Sequence, residues 1–424
     1  MTWTLVIALI VFIALGMPIA FSMGLAAVTA LIVGGGVPLL VLPQKMYSSL
    51  DSFPLLAIPL FILAGALMNI SGITEKLVVL SRSLVGHMRG GLGQVTVLTS
   101  VLFATISGSA SASAAAVGSM MIPQMEKDGY RKEDAAVITA ASSILGPVLP
   151  PSVVMVIYGS MTGLSIGTLF MAGIGPGLLI ALTLMVGVWI IGRRDEIRIY
   201  GRATLSEAFN ALISAIPALA MPAIIVGGIV SGVFTTTEAG VIAVAYAALY
   251  ALIIKRTPFR QIAANVTSAA TVSSSILVIL GGAALFGWII AREGIPLVIA
   301  GWLQSVTGDA MVAMSLILAV LLLVGIFIEP IPALIMLVPV LQPIADAYGF
   351  DPYHFAMVVT FGLLLGSLTP PVAVLVLITC KIAGVQPSKA NGPLFPMFGV
   401  LVAILFVIAY VPFVSLIFPK LFGN

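Results

Sequence analysis

Long apolar stretches follow one another along most of the chain, and short polar segments separate them. A membrane-spanning helix needs about 20 apolar residues, so roughly a dozen spans or half-spans fit this length. Several stretches exceed one span and carry Gly, Ser or Pro near the middle, which predicts helical hairpins or broken helices. The pattern predicts an all-α polytopic membrane protein, with apolar helical stretches at roughly 3–34, 53–71, 91–125, 133–163, 167–192, 208–254, 272–305, 310–345, 352–383 and 393–418.

Composition supports the membrane assignment. Of the 424 residues, 61% are hydrophobic and 8% are charged, whereas soluble domains carry about 45–50% and about 25%. The first stretch resembles a signal-peptide core but has no positive leading region, because the first cation is Lys45; we interpret it as a retained span. The single cysteine, Cys380, excludes an intramolecular disulfide.

Basic residues concentrate in two short loops, 193–202 and 255–260. The segment between them is long enough for two spans, so both loops lie on the same side, and the positive-inside rule assigns that side to the cytoplasm. Basic loops of this kind are not a nucleic-acid patch, and no nucleic-acid partner is expected. The lipid bilayer is the expected environment.

The chain contains an internal repeat. The stretches 121–152 and 341–372 align without a gap at an offset of 220: Pro123 matches Pro343, Gly146 matches Gly366, and Pro150-Pro151 matches Pro370-Pro371. Upstream of these stretches the offset is 222, and Gly72-Ile73 matches Gly294-Ile295. The predicted halves are 1–204 and 205–424. If the repeats are inverted, as in many secondary transporters, both termini lie in the periplasm of a bacterium; the residues alone leave parallel duplication open.

Polar or broken segments come in two matching pairs, 104–123 with 142–152 and 323–339 with 363–373. Serines in close-packed membrane helices often serve packing alone, and a Pro-Pro pair is often a plain kink. Their recurrence at symmetric positions instead favours a midplane binding site. There, unwound carbonyls suit Na⁺ and helix N-termini suit an anion.

Glu329, inside an apolar stretch, is the notable ionisable residue, because carboxylates within spans are costly. The alternative to a functional role is pairing with Arg292 or Lys381, or burial in the protonated form. Glu238 and the Arg292-Glu293 pair are interpreted as helix-end features.

The sequence has no metal-ligand cluster, P-loop or GxSxG motif, so no enzyme activity and no organic cofactor are expected.

Four segments resemble the large transmembrane (M) subunit of TRAP (tripartite ATP-independent periplasmic) transporters: ISGSASASAAAVGSMMIPQMEKDGY, SGVFTTTEAGVIAVAYAALYAL, GIFIEPIPALIMLVPVLQPIADAYGFDPYHFAMVV and GSLTPPVAVLVL. The resemblance covers essentially the whole chain. It implies two inverted repeats with re-entrant helical hairpins and broken helices, moving as an elevator. It also implies Na⁺-driven import of organic acids, such as C4-dicarboxylates or sugar acids, across the bacterial inner membrane.

The resemblance further implies hairpin tips at Ser107–Ser113 and Gly325–Ile331 and broken-helix loops at Gly146–Ser152 and Gly366–Pro371. It places one sodium site between each tip and its loop, with substrate between the two sites. The implied residues are Ser107, Gly108, Ser109, Gly146, Val148 and Pro150 for sodium site 1; Gly325, Ile328, Glu329, Gly366, Thr369 and Pro370 for sodium site 2; and Ser111, Ser113, Ser152 and Pro332 for the substrate. Two residues depart from the family pattern, namely Glu329, where Asp is more frequent, and Ala373, where Gly is usual.

Two partners are implied as well: a small four-helix membrane (Q) subunit and a periplasmic substrate-binding (P) protein. An alternative is a stand-alone permease of the same superfamily, coupled to Na⁺ or H⁺. A different class, a channel or membrane scaffold, would need neither repeated broken helices nor a coupling ion.

Overall fold

The structure is a computed structural model that describes residues 1–194, 197–370 and 372–422. In the part it describes, regular structure is helical throughout, and nine helical segments are long and apolar enough to cross a membrane. The α-helices of the first half are α1 Thr2–Ala14, α2 Ile19–Gly34, α3 Val41–Leu50, α4 Ala57–Ile70, α5 Ile73–Val85, α6 Gly91–Ser107, α7 Ala110–Lys127, α8 Lys132–Ser143, α9 Leu145–Val148, α10 Val153–Thr162 and α11 Ile166–Arg194.

Those of the second half are α12 Leu205–Val230, α13 Thr236–Leu249, α14 Phe259–Arg292, α15 Ile295–Val306, α16 Ala310–Phe327, α17 Pro330–Ala347, α18 Pro352–Gly366, α19 Val374–Ala383, α20 Pro387–Tyr410 and α21 Pro412–Phe422. The all-α polytopic prediction is confirmed. The overlong apolar stretches divide as expected, since residues 3–34 form the hairpin α1–α2, in which the Met1 side chain lies against Gly34.

The repeat is visible in the helix boundaries. Helix α7 and helix α17 both have 18 residues, and their bounds differ by 220 at each end, from 110 to 330 and from 127 to 347. Two residues precede each of them and form a hairpin tip, Gly108–Ser109 in one half and Ile328–Glu329 in the other. Helices α8 and α18 then begin at equivalent positions, 132 and 352.

The two halves are inverted with respect to each other. Gly72 lies against the side chain of Lys255, four residues before the start of α14. Its repeat equivalent, Gly294, follows Glu293 at the opposite end of α14, where Glu293 pairs with the amino terminus of Met1 at 3.8 Å. Helix α14 has 34 residues and is therefore about 50 Å long, so equivalent turns lie at opposite ends of the molecule.

Helices of both halves pack into two bodies. In the first body, α7 and α8 contact α19, and α16 contacts α18, so the hairpins and broken helices lie together. In the second body, α4 contacts α13, α5 contacts α12, and α2 contacts α14. The two bodies are joined where α5 and α4 pack against α6, where α14 packs against α17, and where α10 packs against α4.

The connection between the halves is held at the base of the first hairpin. The Tyr200 hydroxyl donates a hydrogen bond to the Asp128 carboxylate, and the Arg82 guanidinium lies 3.9 Å from the centre of the Tyr200 ring. Burial and the bond to Asp128 raise the pKa of the Tyr200 hydroxyl. The division at 204/205 falls in this connection and remains a prediction.

The helix-end roles predicted for Glu238 and for the Arg292-Glu293 pair are confirmed. Glu238 accepts from the backbone N–H of Thr235, whose hydroxyl accepts from the backbone N–H of Glu238, and this capping box starts α13. Arg292 is the last residue of α14. A cation there opposes the partial negative charge of the helix C-terminus.

The inversion predicts that the bases of the two hairpins face opposite sides of the membrane. Lys127 and Ala347, which differ by 220, are both exposed, and Cys380 is buried. In a Cys380→Ser background, we expect Lys127→Cys to react with a membrane-impermeant maleimide only from the cytoplasm and Ala347→Cys only from the periplasm. Labelling of right-side-out and inside-out vesicles measures this, and reaction of both from one side would contradict it.

Candidate functional site

The tip of the first hairpin is a tight turn with its own cap. Helix α6 ends at Ser107, and Gly108 has a φ of +59°, a left-handed conformation that favours glycine. Ser109 is the N-cap of α7, and its hydroxyl oxygen accepts from the backbone N–H of Ala112 at 3.4 Å. The sequence GSASAS thus turns the chain and restarts a helix within two residues.

The broken helix of the first half is α8–α9 followed by α10. The Pro150-Pro151 pair separates α9 from α10. Ser152, fully buried, donates its hydroxyl proton to the carbonyl of Pro147 and accepts from the backbone N–H of Met155. This side chain closes the loop and caps α10.

The structure brings this tip and this loop into contact. A Cβ added to Gly108 would lie 2.7 Å from the carbonyl oxygen of Pro151, and one added to Gly146 would lie 2.8 Å from the carbonyl of Ser109. Real Cβ atoms do not approach backbone this closely, so glycine is required at both positions. Val148, a predicted residue of sodium site 1, has its carbonyl oxygen against Gly173 of α11.

The predicted substrate serines of α7 have different surroundings. Ser111 is exposed, and its hydroxyl lies 3.2 Å from that of Ser109. Ser113 is fully buried, and its hydroxyl has no hydrogen-bond partner among the described residues. A buried hydroxyl without a partner is costly, which makes Ser113 a candidate ligand group.

The tip of the second hairpin has the same length but different chemistry. Helix α16 ends at Phe327, Ile328 is extended, and Glu329 precedes Pro330 at the first position of α17. Proline is favoured there because that N–H has no partner within the helix, so Pro330 starts a helix rather than breaking one. Glu329 is exposed and makes no ion pair with Arg292 or Lys381 in the described structure.

The second loop follows Gly366, the last residue of α18. The Thr369 hydroxyl donates to the carbonyl of Leu365 at 3.2 Å, and the Thr369 carbonyl accepts from the backbone N–H of Ala373 at 3.1 Å. Pro370 is half-buried, and Pro371, included in the predicted loop, lies outside the described residues.

Ala373 occupies the left-handed region, with φ +38° and ψ 46°, and precedes α19. An L-residue with a Cβ atom is strained there by roughly 1–2 kcal/mol. The glycine that the resemblance leads us to expect at this position would relieve the strain.

The second hairpin contacts its broken helix one helical turn before the hairpin tip, unlike the first. A Cβ added to Gly366 would overlap the backbone carbonyl of Gly325, and one added to Gly325 would lie 2.9 Å from the carbonyl oxygen of Leu363. In the first half, Gly146 contacts Ser109, whose repeat equivalent is Glu329. In the second half, Gly366 contacts Gly325, which lies one helical turn before Glu329. The two candidate sodium regions are therefore not copies of each other.

A cavity of about 930 Å³ lies beside the second tip. Its walls are the tip, the α1–α2 turn and one face of α14, and its lining includes the predicted substrate residue Pro332. The hydroxyls that sequence reasoning missed are on α14. Their signal was helical spacing, since Thr267, Thr271 and the Ser274-Ser275 pair fall on one face of the helix.

The first tip and loop offer backbone carbonyl and serine hydroxyl oxygens, and the second tip and loop offer backbone carbonyls, the Thr369 hydroxyl and the Glu329 carboxylate. Oxygen atoms of these kinds are the ligand type that suits a hard cation such as Na⁺. The described residues contain no cluster of three or more His, Cys, Asp and Glu side chains that could hold a metal ion.

Comparison with known proteins agrees with this architecture. Residues 6–414 match the family "Tripartite ATP-independent periplasmic transporter, DctM component". The chain is 37% identical to the sialic acid TRAP transporter large permease protein SiaM of Vibrio cholerae, covering 96% of each protein. It is 35% identical to the C4-dicarboxylate TRAP transporter large permease protein DctM of Pseudomonas aeruginosa, covering 89% of each.

Among solved structures, the Alcanivorax borkumensis YdaH transporter has a similar fold, with a TM-score of 0.58 at 16% identity over 96% of this chain and 97% of that one. The family match covers nearly all of the chain, and the helical hairpins and broken helices are present in both halves. The chain belongs to the DctM component family of tripartite ATP-independent periplasmic transporters.

Proposed function

We propose that the chain is the large membrane subunit of a sodium-coupled importer of organic acids in the bacterial inner membrane, with both termini in the periplasm. The observation that carries the proposal is the paired contact of helical hairpin and broken helix, Gly108 with Pro151 and Gly325 with Gly366, in two inverted halves. The first contact lies beside the N-terminus of α7, and the second lies one helical turn before the N-terminus of α17. Backbone carbonyls at both contacts suit Na⁺, and the N-terminus of α7 suits a carboxylate.

The separation into two packed bodies supports an elevator movement. The body containing the hairpins would carry Na⁺ and substrate, and the body built from α2, α4, α5, α12, α13 and α14 would stay fixed in the bilayer. A small four-helix Q subunit would enlarge the fixed body, and a periplasmic P protein would deliver the organic acid. Relatives named for sialic acid and for C4-dicarboxylates support a carboxylate as the substrate class.

Thr369 provides the direct test of the sodium proposal. Its hydroxyl proton is directed to the Leu365 carbonyl, so the oxygen lone pairs remain for a cation. Thr369→Val keeps the shape and removes this oxygen. Losing one polar partner in a buried site costs about 1–3 kcal/mol, so we expect the half-saturating Na⁺ concentration for uptake to rise roughly tenfold.

Thr183→Val is the matched control. Thr183 is also half-buried and donates to a carbonyl four residues earlier, that of Leu179, but it lies on α11 away from both tips. Uptake of a labelled organic acid into proteoliposomes, measured against the Na⁺ gradient, compares the two variants. Unchanged sodium dependence in Thr369→Val would reduce the Thr-Pro-Pro segment to a structural kink.

A further inference from the structure

The cavity beside the second hairpin tip has a wall that is rich in hydrogen-bond acceptors. On α14, the hydroxyl of Thr271 donates to the carbonyl of Thr267 at 2.9 Å, and the hydroxyl of Ser275 donates to the carbonyl of Thr271 at 2.9 Å. Thr267 likewise donates to Ala263 at 3.1 Å. A hydroxyl that has given its proton to its own helix presents only lone pairs to a ligand.

The wall opposite α14, at the second hairpin tip, also carries a hydrogen-bond acceptor. Glu329 is the only ionisable side chain among the described residues that line the cavity, and no Lys, Arg or His is among them. The adjacent N-terminus of α17 offers an anion a single backbone N–H in its first four residues, that of Ile331, because Pro330 and Pro332 have no N–H and the N–H of Ala333 bonds to the carbonyl of Glu329. A carboxylate in this cavity would meet a carboxylate and no compensating cation from the protein.

From this wall chemistry we propose that the cavity binds the hydroxyl-bearing part of a polyhydroxylated monocarboxylic acid and discriminates against dicarboxylates. The inference rests on the proposed function and names its substrate class. Sugar-acid hydroxyls donate to the acceptors of Thr267, Thr271, Ser275 and Glu329, whereas the second carboxylate of a dicarboxylate has no proton to donate and is repelled by Glu329. The volume of about 930 Å³ accommodates such a ligand.

The test uses the full chain in lipid nanodiscs at saturating NaCl, with gluconate and succinate as probes. Ligand-dependent thermal stabilisation gives an apparent Kd for each probe. We expect gluconate to bind at least fivefold more tightly than succinate. The double variant Thr271→Val, Ser275→Ala is expected to weaken gluconate binding about tenfold and to leave succinate binding unchanged.

Glu329→Gln is expected to strengthen succinate binding, because it removes the repelling charge. Ser268→Ala is the matched control on the same helix, since Ser268 is exposed but does not line the cavity, and it is expected to leave both Kd values unchanged. Equal or tighter binding of succinate, no binding of either probe, or an unaltered gluconate Kd in the double variant would overturn the substrate class. Failure of sodium-driven uptake by the complete transporter would overturn the proposed function instead.

Discussion

Gly366→Ala is expected to abolish sodium-dependent uptake and to lower the free energy of unfolding by about 3 kcal/mol. A methyl group on Gly366 would overlap the backbone carbonyl of Gly325, and neither backbone is free to move as a flexible side chain would. The second hairpin would have to separate from its broken helix, which would also open the proposed sodium site. Thermal unfolding of the purified chain and uptake by proteoliposomes measure both effects.

Two substitutions provide the controls. Ala373→Gly, in the same loop, is expected to raise the free energy of unfolding by roughly 1 kcal/mol, because it relieves a left-handed alanine. Gly399→Ala lies within α20, where an added Cβ meets nothing within 4 Å, and it is expected to be neutral or stabilising by up to about 1 kcal/mol. A stable, active Gly366→Ala variant would show that the two backbones are not in close contact.

Uptake is expected to be absent until a periplasmic binding protein is added to vesicles that contain the membrane subunits. The physical reason is that the chain is helical nearly from end to end in the part described, with short connections, and carries no extramembrane domain there that could capture a solute. The measurement is accumulation of a labelled organic acid under an inward Na⁺ gradient, with and without the binding protein.

Collapsing the gradient with a sodium ionophore is the control for coupling, and it should stop uptake even when the binding protein is present. Uptake at full rate without the binding protein would instead identify a stand-alone permease. Equilibration without accumulation would indicate a channel.

The sequence was most informative where a physical rule acts on neighbouring residues. The hairpin tips were predicted at Ser107–Ser113 and Gly325–Ile331, and the turns lie at Gly108–Ser109 and Ile328–Glu329. Glycine at a turn, proline at a helix start and serine at an N-cap are local preferences, so the sequence carries them. The capping role of Glu238 was predictable for the same reason.

The sequence does not single out the hydroxyl groups of α14 that line the cavity, because these residues have no unusual local signature. Serine and threonine are common in membrane helices, where they bond to their own backbone. Thr267, Thr271, Ser274 and Ser275 gain significance only because the α1–α2 turn and the second hairpin tip lie opposite them. Those elements are far apart in sequence, at 17–21 and 327–332.

By itself, the sequence determined the all-helical membrane fold, the 220-residue repeat and the positions at which helices break, because hydrophobicity and backbone preference act over a few turns of chain. Only the tertiary structure decided that the halves are inverted, with Gly72 at Lys255 and Gly294 beside Glu293 at the other end of α14. It also decided that Gly366 contacts Gly325 rather than Glu329, the repeat equivalent of Ser109. Contacts between distant segments depend on how whole helices pack, and a difference of one helical turn leaves no trace in the local pattern of residues.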